Sequence, residues 1–105
     1  MNIFIDIDDT ICKMPQTAED STNYALAVPI QENINKANSL YHEGNVIVYW
    51  TARGTGTKID WREVTEQQFE RWGVHYHEIR FGKPAYDMMI CDKAINVKTF
   101  EGDDW

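Results

Sequence analysis

The sequence predicts an α/β fold in which a mostly parallel sheet forms the middle layer of a three-layer sandwich. Short apolar runs typical of buried strands, at 2–7 and 46–50, alternate with segments in which apolar residues recur every three or four positions. This alternation indicates strands joined by right-handed helical crossovers, the connection that produces parallel sheets. The 105 residues provide one domain with one core.

The first half of the chain is predicted to form a strand, a helix and a second strand. After the strand at 2–7, residues 11–28 show no sustained period and are predicted to form a short flap over the strand end. Pro29 suits the first turn of the helix, and Gly44 suits the position just past its end. The apolar stripe of this helix is Ile30, Ile34, Ala37 and Tyr41. The β-branched run at 46–50 is the second strand.

The second half is predicted to form a second helix followed by shorter strands. Asp60 and Glu63 have the spacing of a capping box, so the helix is expected to begin after Asp60. Gly73 is expected to end it. The remaining predicted elements are strands at 74–79, 87–90 and 94–97 and an acidic tail at 101–105.

The composition limits the classes of partner. Hydrophobic residues make up 43% of the chain, as in a folded globule, and the formal net charge is -7. This charge disfavours nucleic-acid partners, which need a basic surface, although it permits a small anionic substrate. No apolar run has the length of a membrane span and no signal peptide is visible, so no membrane contact and a cytoplasmic location are expected. Cys12 and Cys91 are expected to be reduced thiols, with a disulfide as the alternative.

Two carboxylates, Asp6 and Asp8, stand at the carboxyl end of the first strand. Like charges at this spacing cost free energy unless a cation or a shared proton relieves them. The carboxyl ends of parallel strands also form the crevice in which open α/β sheets bind ligands. A divalent ion that prefers hard oxygen ligands, such as Mg²⁺, is therefore predicted there.

Three further polar residues are placed to converge on the same crevice. Thr51 ends the second strand, Lys83 lies in the loop before the predicted fourth strand, and Asp92 follows that strand. Each alone would be typical of an ordinary strand end or a solvated charge. Because parallel strands point their carboxyl ends the same way, the ordered set favours a catalytic site.

Taken in chain order, these residues resemble the four motifs of haloacid dehalogenase (HAD) superfamily phosphatases. The first motif, an apolar strand followed by Asp-x-Asp-x-Thr, is matched by residues 6–10. Thr51 matches the Ser or Thr of the second motif, and Lys83 matches the basic residue of the third. Asp92 matches one acid of the fourth. The resemblance covers most of the chain and implies a HAD-like, Rossmann-like sheet with a short flap and no cap domain.

The chain departs from the family pattern at two positions. Asp9 stands where the family often has Gly, and little loss is expected because Asp also tolerates turn conformations. Cys91 replaces the first acid of the fourth motif, which leaves Asp92 to supply the carboxylate. Asp87 lies at the other end of that predicted strand and is too distant to replace it.

The resemblance implies a role for each site residue. Asp6 would attack phosphorus and form an aspartyl-phosphate, while Asp8 would act as general acid and then as general base. Thr51 would donate a hydrogen bond to the phosphoryl group, and Lys83 would offset its charge. The predicted ligands of Mg²⁺ are the Asp6 carboxylate, the Asp8 backbone carbonyl and the Asp92 carboxylate. The predicted substrate-binding residues are Thr10, Ala52 and Arg53.

The substrate class follows from the same resemblance. Without a cap domain the site would be open, so it would act on a large substrate or be closed by a homo-oligomer or other partner subunit. Short members of this kind resemble phosphatases of capsule or lipopolysaccharide biosynthesis, which makes a sugar phosphate the first expectation. The alternatives are a polynucleotide 3'-phosphatase or nucleotidase and, from another class, a noncatalytic binding module on the same fold.

Other patterns are interpreted without a catalytic role. The run at 54–58 contains two glycines and a lysine but lacks the spacing of a phosphate-binding P-loop. His75 and His77 have strand spacing and are predicted to be packed or surface residues rather than ligands. The large aromatic residues predicted to lie in the core are Trp50, Trp61, Phe69 and Trp72.

Overall fold

The computed structural model describes residues 1–16 and 22–102, with strands and helices alternating along the chain. The strands are β1 (Asn2–Ile5), β2 (Cys12–Lys13), β3 (Val28–Pro29), β4 (Val46–Trp50) and β5 (Glu78–Arg80). The helices are α1 (Gln31–His42), α2 (Arg62–Trp72) and α3 (Val97–Glu101), with a 3₁₀ turn at Tyr24–Leu26.

The main sheet is parallel, in the order β1-β4-β5, which confirms the predicted α/β class. Its register pairs Ile3 with Ile47 and Tyr49 with Ile79. Helix α1 connects β1 to β4, and α2 connects β4 to β5, so all three strands end at the same edge of the sheet.

One hydrophobic core joins the helices to a single face of this sheet. Alternate strand residues point into it, as the two-residue period of a strand requires. The strands contribute Ile5, Ile47, Tyr49 and Ile79. The helices contribute Ile34, Ala37, Leu40, Phe69, Trp72 and Phe100. On the other face of the sheet, Phe4 and Val46 are 48% and 41% exposed. The third layer of the predicted three-layer sandwich therefore stays a prediction.

The predicted flap contains a small antiparallel ribbon rather than an irregular loop. β2 pairs with β3 through Cys12 opposite Pro29 and Lys13 opposite Val28. The Ile30 amide donates to the Ile11 carbonyl at 2.8 Å, which ties the ribbon to the start of α1. Part of the flap, 17–21, lies outside the described residues, as does the end of the acidic tail, 103–105. The described residues contain no cap domain.

The strands predicted at 87–90 and 94–97 do not form. No strand or helix occurs in 81–96, and α3 begins at Val97 instead. Met88 and Ile90 are 77% and 92% exposed, so this apolar run has neither a ladder nor a core to pack against. Strand propensity depends on such packing, which is why the pattern misled the prediction.

The carboxyl ends of the two long helices follow the local sequence signals. Gly44 and Gly73 adopt positive φ values of 97° and 68° just past α1 and α2, as glycine readily does. The predicted start of α1 is wrong, because Pro29 pairs with Cys12 in β3 and α1 begins at Gln31. Asp60 Oδ1 accepts a hydrogen bond from the Arg62 amide at 3.0 Å, but the N-cap residue of α2 is Trp61, so the predicted Asp60 cap is wrong by one residue. Within 1–16 and 22–102, no helix has the length and apolarity needed to cross a membrane.

All three histidines gather with Tyr41 at the end of the sheet where β4 and β5 begin. Tyr41 stacks on His77 with ring centroids 4.7 Å apart, and His42 lies 4.9 Å from His75. His77 Nδ1 accepts a hydrogen bond from the Ile47 amide at 3.1 Å. His75 and His77 precede β5 rather than forming part of a strand. Both are exposed, so of the two predicted alternatives, packed or surface residues, they are surface residues.

Candidate active site

A tight turn after β1 presents the two predicted catalytic carboxylates. Ile7 is fully buried, whereas Asp6 and Asp8 on either side of it are partly exposed. The Ile7 carbonyl accepts the Thr10 amide at 3.2 Å, and Asp9 occupies the left-handed region with φ 63°. Aspartate is among the residues that tolerate this conformation, as expected for Asp9.

Lys83 is largely buried and forms an ion pair with Asp6. Its Nζ lies 3.3 Å from Asp6 Oδ2, and its side chain is only 10% exposed. The ammonium also lies over the rings of Trp50 and Tyr86, at 5.8 and 5.2 Å from their centroids. The Lys83 amide donates to the Thr51 carbonyl at 3.0 Å. Lys83 therefore places a positive charge beside the predicted nucleophile although the chain as a whole is acidic.

Thr51 stands at the carboxyl end of β4, directly beside this pair. Its hydroxyl oxygen accepts the Arg53 amide at 3.0 Å, and the residue is 1% exposed. Its own amide donates to the Arg80 carbonyl of β5 at 2.9 Å. Ala52 is half-buried, and its carbonyl accepts the Thr55 amide at 2.9 Å.

Arg53 binds Asp8 rather than facing solvent. Its Nε lies 3.0 Å from Asp8 Oδ2 and its Nη2 lies 2.9 Å from Asp8 Oδ1, a two-pronged ion pair. The Arg53 side chain is 0% exposed, and that of Asp8 is 26% exposed. The predicted contact of Arg53 with substrate stays a prediction. Its ion pair with Asp8 adds a positioning contact that the sequence analysis did not include.

Helix α2 supplies the other partners of the Arg53 guanidinium. Arg53 Nη1 donates to Thr65 Oγ1 at 3.0 Å and to Gln68 Oε1 at 2.7 Å. The guanidinium also lies 5.0 Å from the ring centroid of Tyr24, and the Tyr24 carbonyl accepts Gln68 Nε2 at 2.7 Å. Buried charge requires such partners. Sequence reasoning missed both helix residues, although Gln68 on the apolar stripe of α2 was a usable signal.

Cys12 and Tyr24 border the same ion pair. The Cys12 thiol lies 3.5 Å from Asp8 Oδ1 and 3.6 Å from Arg53 Nη2. Burial, and secondarily the charge of Asp8, raises the pKa of Cys12 to about 12. The same two causes, in the same order, raise the pKa of Tyr24. Cys12 is buried and Cys91 is exposed, and both are free thiols, as expected.

Asn33 anchors the turn that carries Thr10. Its Nδ2 donates to the Thr10 carbonyl at 2.8 Å and to Glu101 Oε1 at 3.1 Å, so α1 and α3 both brace this turn. Asn33 is 1% exposed, and the sequence pattern contained no signal for its role. Thr10 itself is half-buried beside the two carboxylates.

The predicted metal ligands are only partly brought together. Asp92 is exposed in the irregular stretch 81–96, because the strand predicted to place it does not form. Across 1–16 and 22–102, no three His, Cys, Asp or Glu side chains form a group that could hold a metal ion. The Asp6 carboxylate and the Asp8 carbonyl remain hard oxygen donors on one turn. Mg²⁺ commonly binds through one or two carboxylates and several waters, so this pair fits its chemistry.

Comparisons with known proteins inform the fold and not the chemistry. No protein-family profile matches this chain, and no curated protein matches it. The fold is similar to that of a crystal structure of an MCSG target from Vibrio cholerae, with a TM-score of 0.81 and 26% sequence identity. The similarity covers 96% of this chain and 88% of that one. That protein's description states no activity, so the likeness supports the α/β architecture alone.

Proposed function

We propose that the protein is a magnesium-dependent phosphatase that hydrolyses a phosphate monoester through an aspartyl-phosphate on Asp6. The observation that supports it is the pairing of Lys83 Nζ with Asp6 Oδ2 at 3.3 Å, with the Lys83 amide bonded to the Thr51 carbonyl and Asp8 on the same turn as Asp6. A carboxylate nucleophile, a buried cation, a hydroxyl donor and a second carboxylate are the groups that phosphoryl transfer requires.

In the first half of the proposed reaction, a carboxylate oxygen of Asp6 forms a bond to phosphorus while the bond to the leaving oxygen breaks. The leaving oxygen takes a proton from the Asp8 carboxyl. In the second half, Asp8 accepts a proton from a water molecule whose oxygen bonds to phosphorus. The bond between the Asp6 oxygen and phosphorus breaks, which releases inorganic phosphate and restores the Asp6 carboxylate.

The neighbouring side chains position these groups. Arg53 contacts both oxygens of Asp8, at 2.9 and 3.0 Å, and so fixes the position of this carboxyl group. Lys83 offsets the charge on the transferring group, and the Thr51 hydroxyl donates to one of its oxygens. The Asp6 carboxylate and the Asp8 carbonyl would hold Mg²⁺, with Asp92 as a predicted third donor. The ion, when bound, neutralises phosphoryl charge that would otherwise repel the nucleophile.

The proposed substrate is a sugar phosphate in the cytoplasm. It rests on the resemblance to small phosphatases of capsule or lipopolysaccharide biosynthesis and on the net charge of -7, which disfavours a polynucleotide. A homo-oligomer or partner subunit closing the site belongs to the same proposal. A phosphate-release screen over sugar phosphates, nucleotides and 3'-phosphorylated oligonucleotides tests it. Preferential release from oligonucleotides would instead favour the polynucleotide 3'-phosphatase.

The assignment of the nucleophile is tested with p-nitrophenyl phosphate and Mg²⁺. Asp6→Asn keeps the shape of the side chain and removes the nucleophile, so turnover should fall by a factor of about 1,000 or more. Asp9→Asn is the matched control, because Asp9 is exposed and asparagine also tolerates its left-handed conformation. Full activity of Asp6→Asn would reject the mechanism. Absence of turnover in the unmodified protein for every ester in the screen would favour the noncatalytic binding module.

A further inference from the structure

A cleft of about 400 Å³ opens between the loop after β4 and the turn after β5. This volume is within the range of about 300–1,000 Å³ that is typical of small-molecule sites. The residues whose side chains or backbone shape it include Gly54, Thr55, Lys58, Ile59, Trp61 and Phe81. Arg53, which was predicted to bind substrate, also lines this cleft, and the other lining residues lie outside the predicted set.

Direct contacts join the cleft to the proposed phosphoryl site. Thr55 in its wall donates its hydroxyl to the Lys83 carbonyl at 2.8 Å, and the Lys83 amide donates to the Thr51 carbonyl at 3.0 Å. Gly82, also in the wall, directly precedes Lys83. A group attached to a phosphate beside Lys83 could therefore extend into the cleft.

The loop that forms one wall has a closely constrained backbone. Gly54 has φ 79°, and a Cβ added there would lie 2.1 Å from the Ile59 carbonyl oxygen. The Gly54 carbonyl accepts the Lys58 amide at 2.9 Å, and Lys58 itself has φ 65°. A lysine in this region is uncommon and costs free energy, and such conformations cluster at ligand sites. The loop thus holds Lys58 and Ile59 at the mouth of the cleft.

The walls combine apolar faces with hydrogen-bonding groups. Trp61 is half-buried and packs edge-on against Tyr24 with ring centroids 5.2 Å apart. Phe81 is half-buried beneath the Arg62 guanidinium, which lies 4.6 Å from its ring centroid, and Ile59 is 54% exposed. Lys58 adds a cationic donor at the same cleft. A ring with apolar C–H faces and peripheral hydroxyls matches such a surface.

We infer that this cleft is the subsite for the leaving group of the phosphate monoester, and that it takes a polyhydroxylated, monosaccharide-sized group. The inference rests on the proposed function for the position of the phosphate. It adds Lys58, Ile59, Trp61 and Phe81 as residues that select the substrate. Asp60 at the edge of the cleft and the acidic net charge disfavour an oligonucleotide as the occupant.

The test measures binding, so that it does not depend on turnover. Glucose 6-phosphate and inorganic phosphate are titrated by NMR against the full chain carrying Asp6→Asn. Ile59→Trp is added to fill the cleft without changing charge. Ile95→Trp is the matched control, because Ile95 is 52% exposed, close to the 54% of Ile59. A second pair, Lys58→Gln with Lys98→Gln as control, removes one exposed lysine in each case.

The expected result is a Kd for glucose 6-phosphate at least fivefold weaker in both cleft variants, with both controls unchanged. The Kd for inorganic phosphate should remain within twofold for Ile59→Trp. Equal affinity for glucose 6-phosphate with and without Ile59→Trp would overturn the inference. So would a parent protein that binds glucose 6-phosphate no more tightly than inorganic phosphate. If the cleft variants weaken binding but the unmodified protein hydrolyses no ester, the cleft stands and the phosphatase proposal fails.

Discussion

Replacing Arg53 with methionine tests whether the buried ion pair with Asp8 organises the site. Methionine retains an unbranched apolar stem and removes the guanidinium, so Asp8 loses two hydrogen bonds, at 2.9 and 3.0 Å. Breaking a buried ion pair by removing one partner costs about 3–5 kcal/mol. Because the Asp8 side chain is 26% exposed, water can hydrate the remaining carboxylate, and the lower end of that range is expected.

The partners on α2 add to this cost. Thr65 and Gln68 are both fully buried and lose a charged donor, at about 1 kcal/mol each if no water replaces it. The contributions overlap, so we expect a total loss of about 3–4 kcal/mol. With a urea m-value of about 1–2 kcal/mol/M, the unfolding midpoint falls by about 2 M. Arg71→Met is the control, since Arg71 is exposed on the same helix and its change should leave the midpoint in place.

Catalysis gives a second measurement with the same variant. If Arg53 positions Asp8, kcat should fall by about 100-fold or more with little change in KM, because the lost contribution is proton transfer. Arg53→Lys should recover part of the stability but not the two-pronged geometry. A double-mutant cycle with Asp8→Asn isolates the pair. A destabilisation below about 1 kcal/mol, or no coupling in the cycle, would refute the argument.

Two further predictions concern the buried thiol and the cleft loop. Because the pKa of Cys12 is about 12 when folded and near 9.0 when unfolded, its contribution to stability is complete below pH 9 and declines as pH rises toward 12. The urea midpoint of unfolding should therefore differ more between pH 8 and pH 10.5 in the unmodified protein than in Cys12→Ala. At pH 8 a thiol reagent should label Cys91 before Cys12. Equal rates of labelling would contradict the burial of Cys12. Gly54→Ala should weaken glucose 6-phosphate binding and lower stability by about 1–3 kcal/mol, because its Cβ would meet the Ile59 carbonyl. Gly56→Ala, whose Cβ meets nothing within 4 Å, should do neither.

Features that depend on neighbouring residues were predictable from the sequence. The apolar runs at β1 and β4 and the glycine ends of both long helices follow from local sterics and hydrogen bonding. The position of Asp6 and Asp8 just after a strand follows in the same way. These signals act within a few residues, so a single sequence contains them in full.

Features that depend on distant partners emerged only in the folded chain. The apolar run at 87–90 has the composition of a strand, yet a strand requires a neighbour to hydrogen-bond with and a core to cover it. Arg53 was predicted only to contact substrate, whereas its ion-pair partner Asp8 lies 45 residues away and its hydrogen-bond partner Gln68 lies 15 residues away. The same holds for Asn33, which meets Glu101 from 68 residues away. Charge burial and strand pairing depend on which segments come into contact in the folded chain. The local sequence pattern does not contain that information.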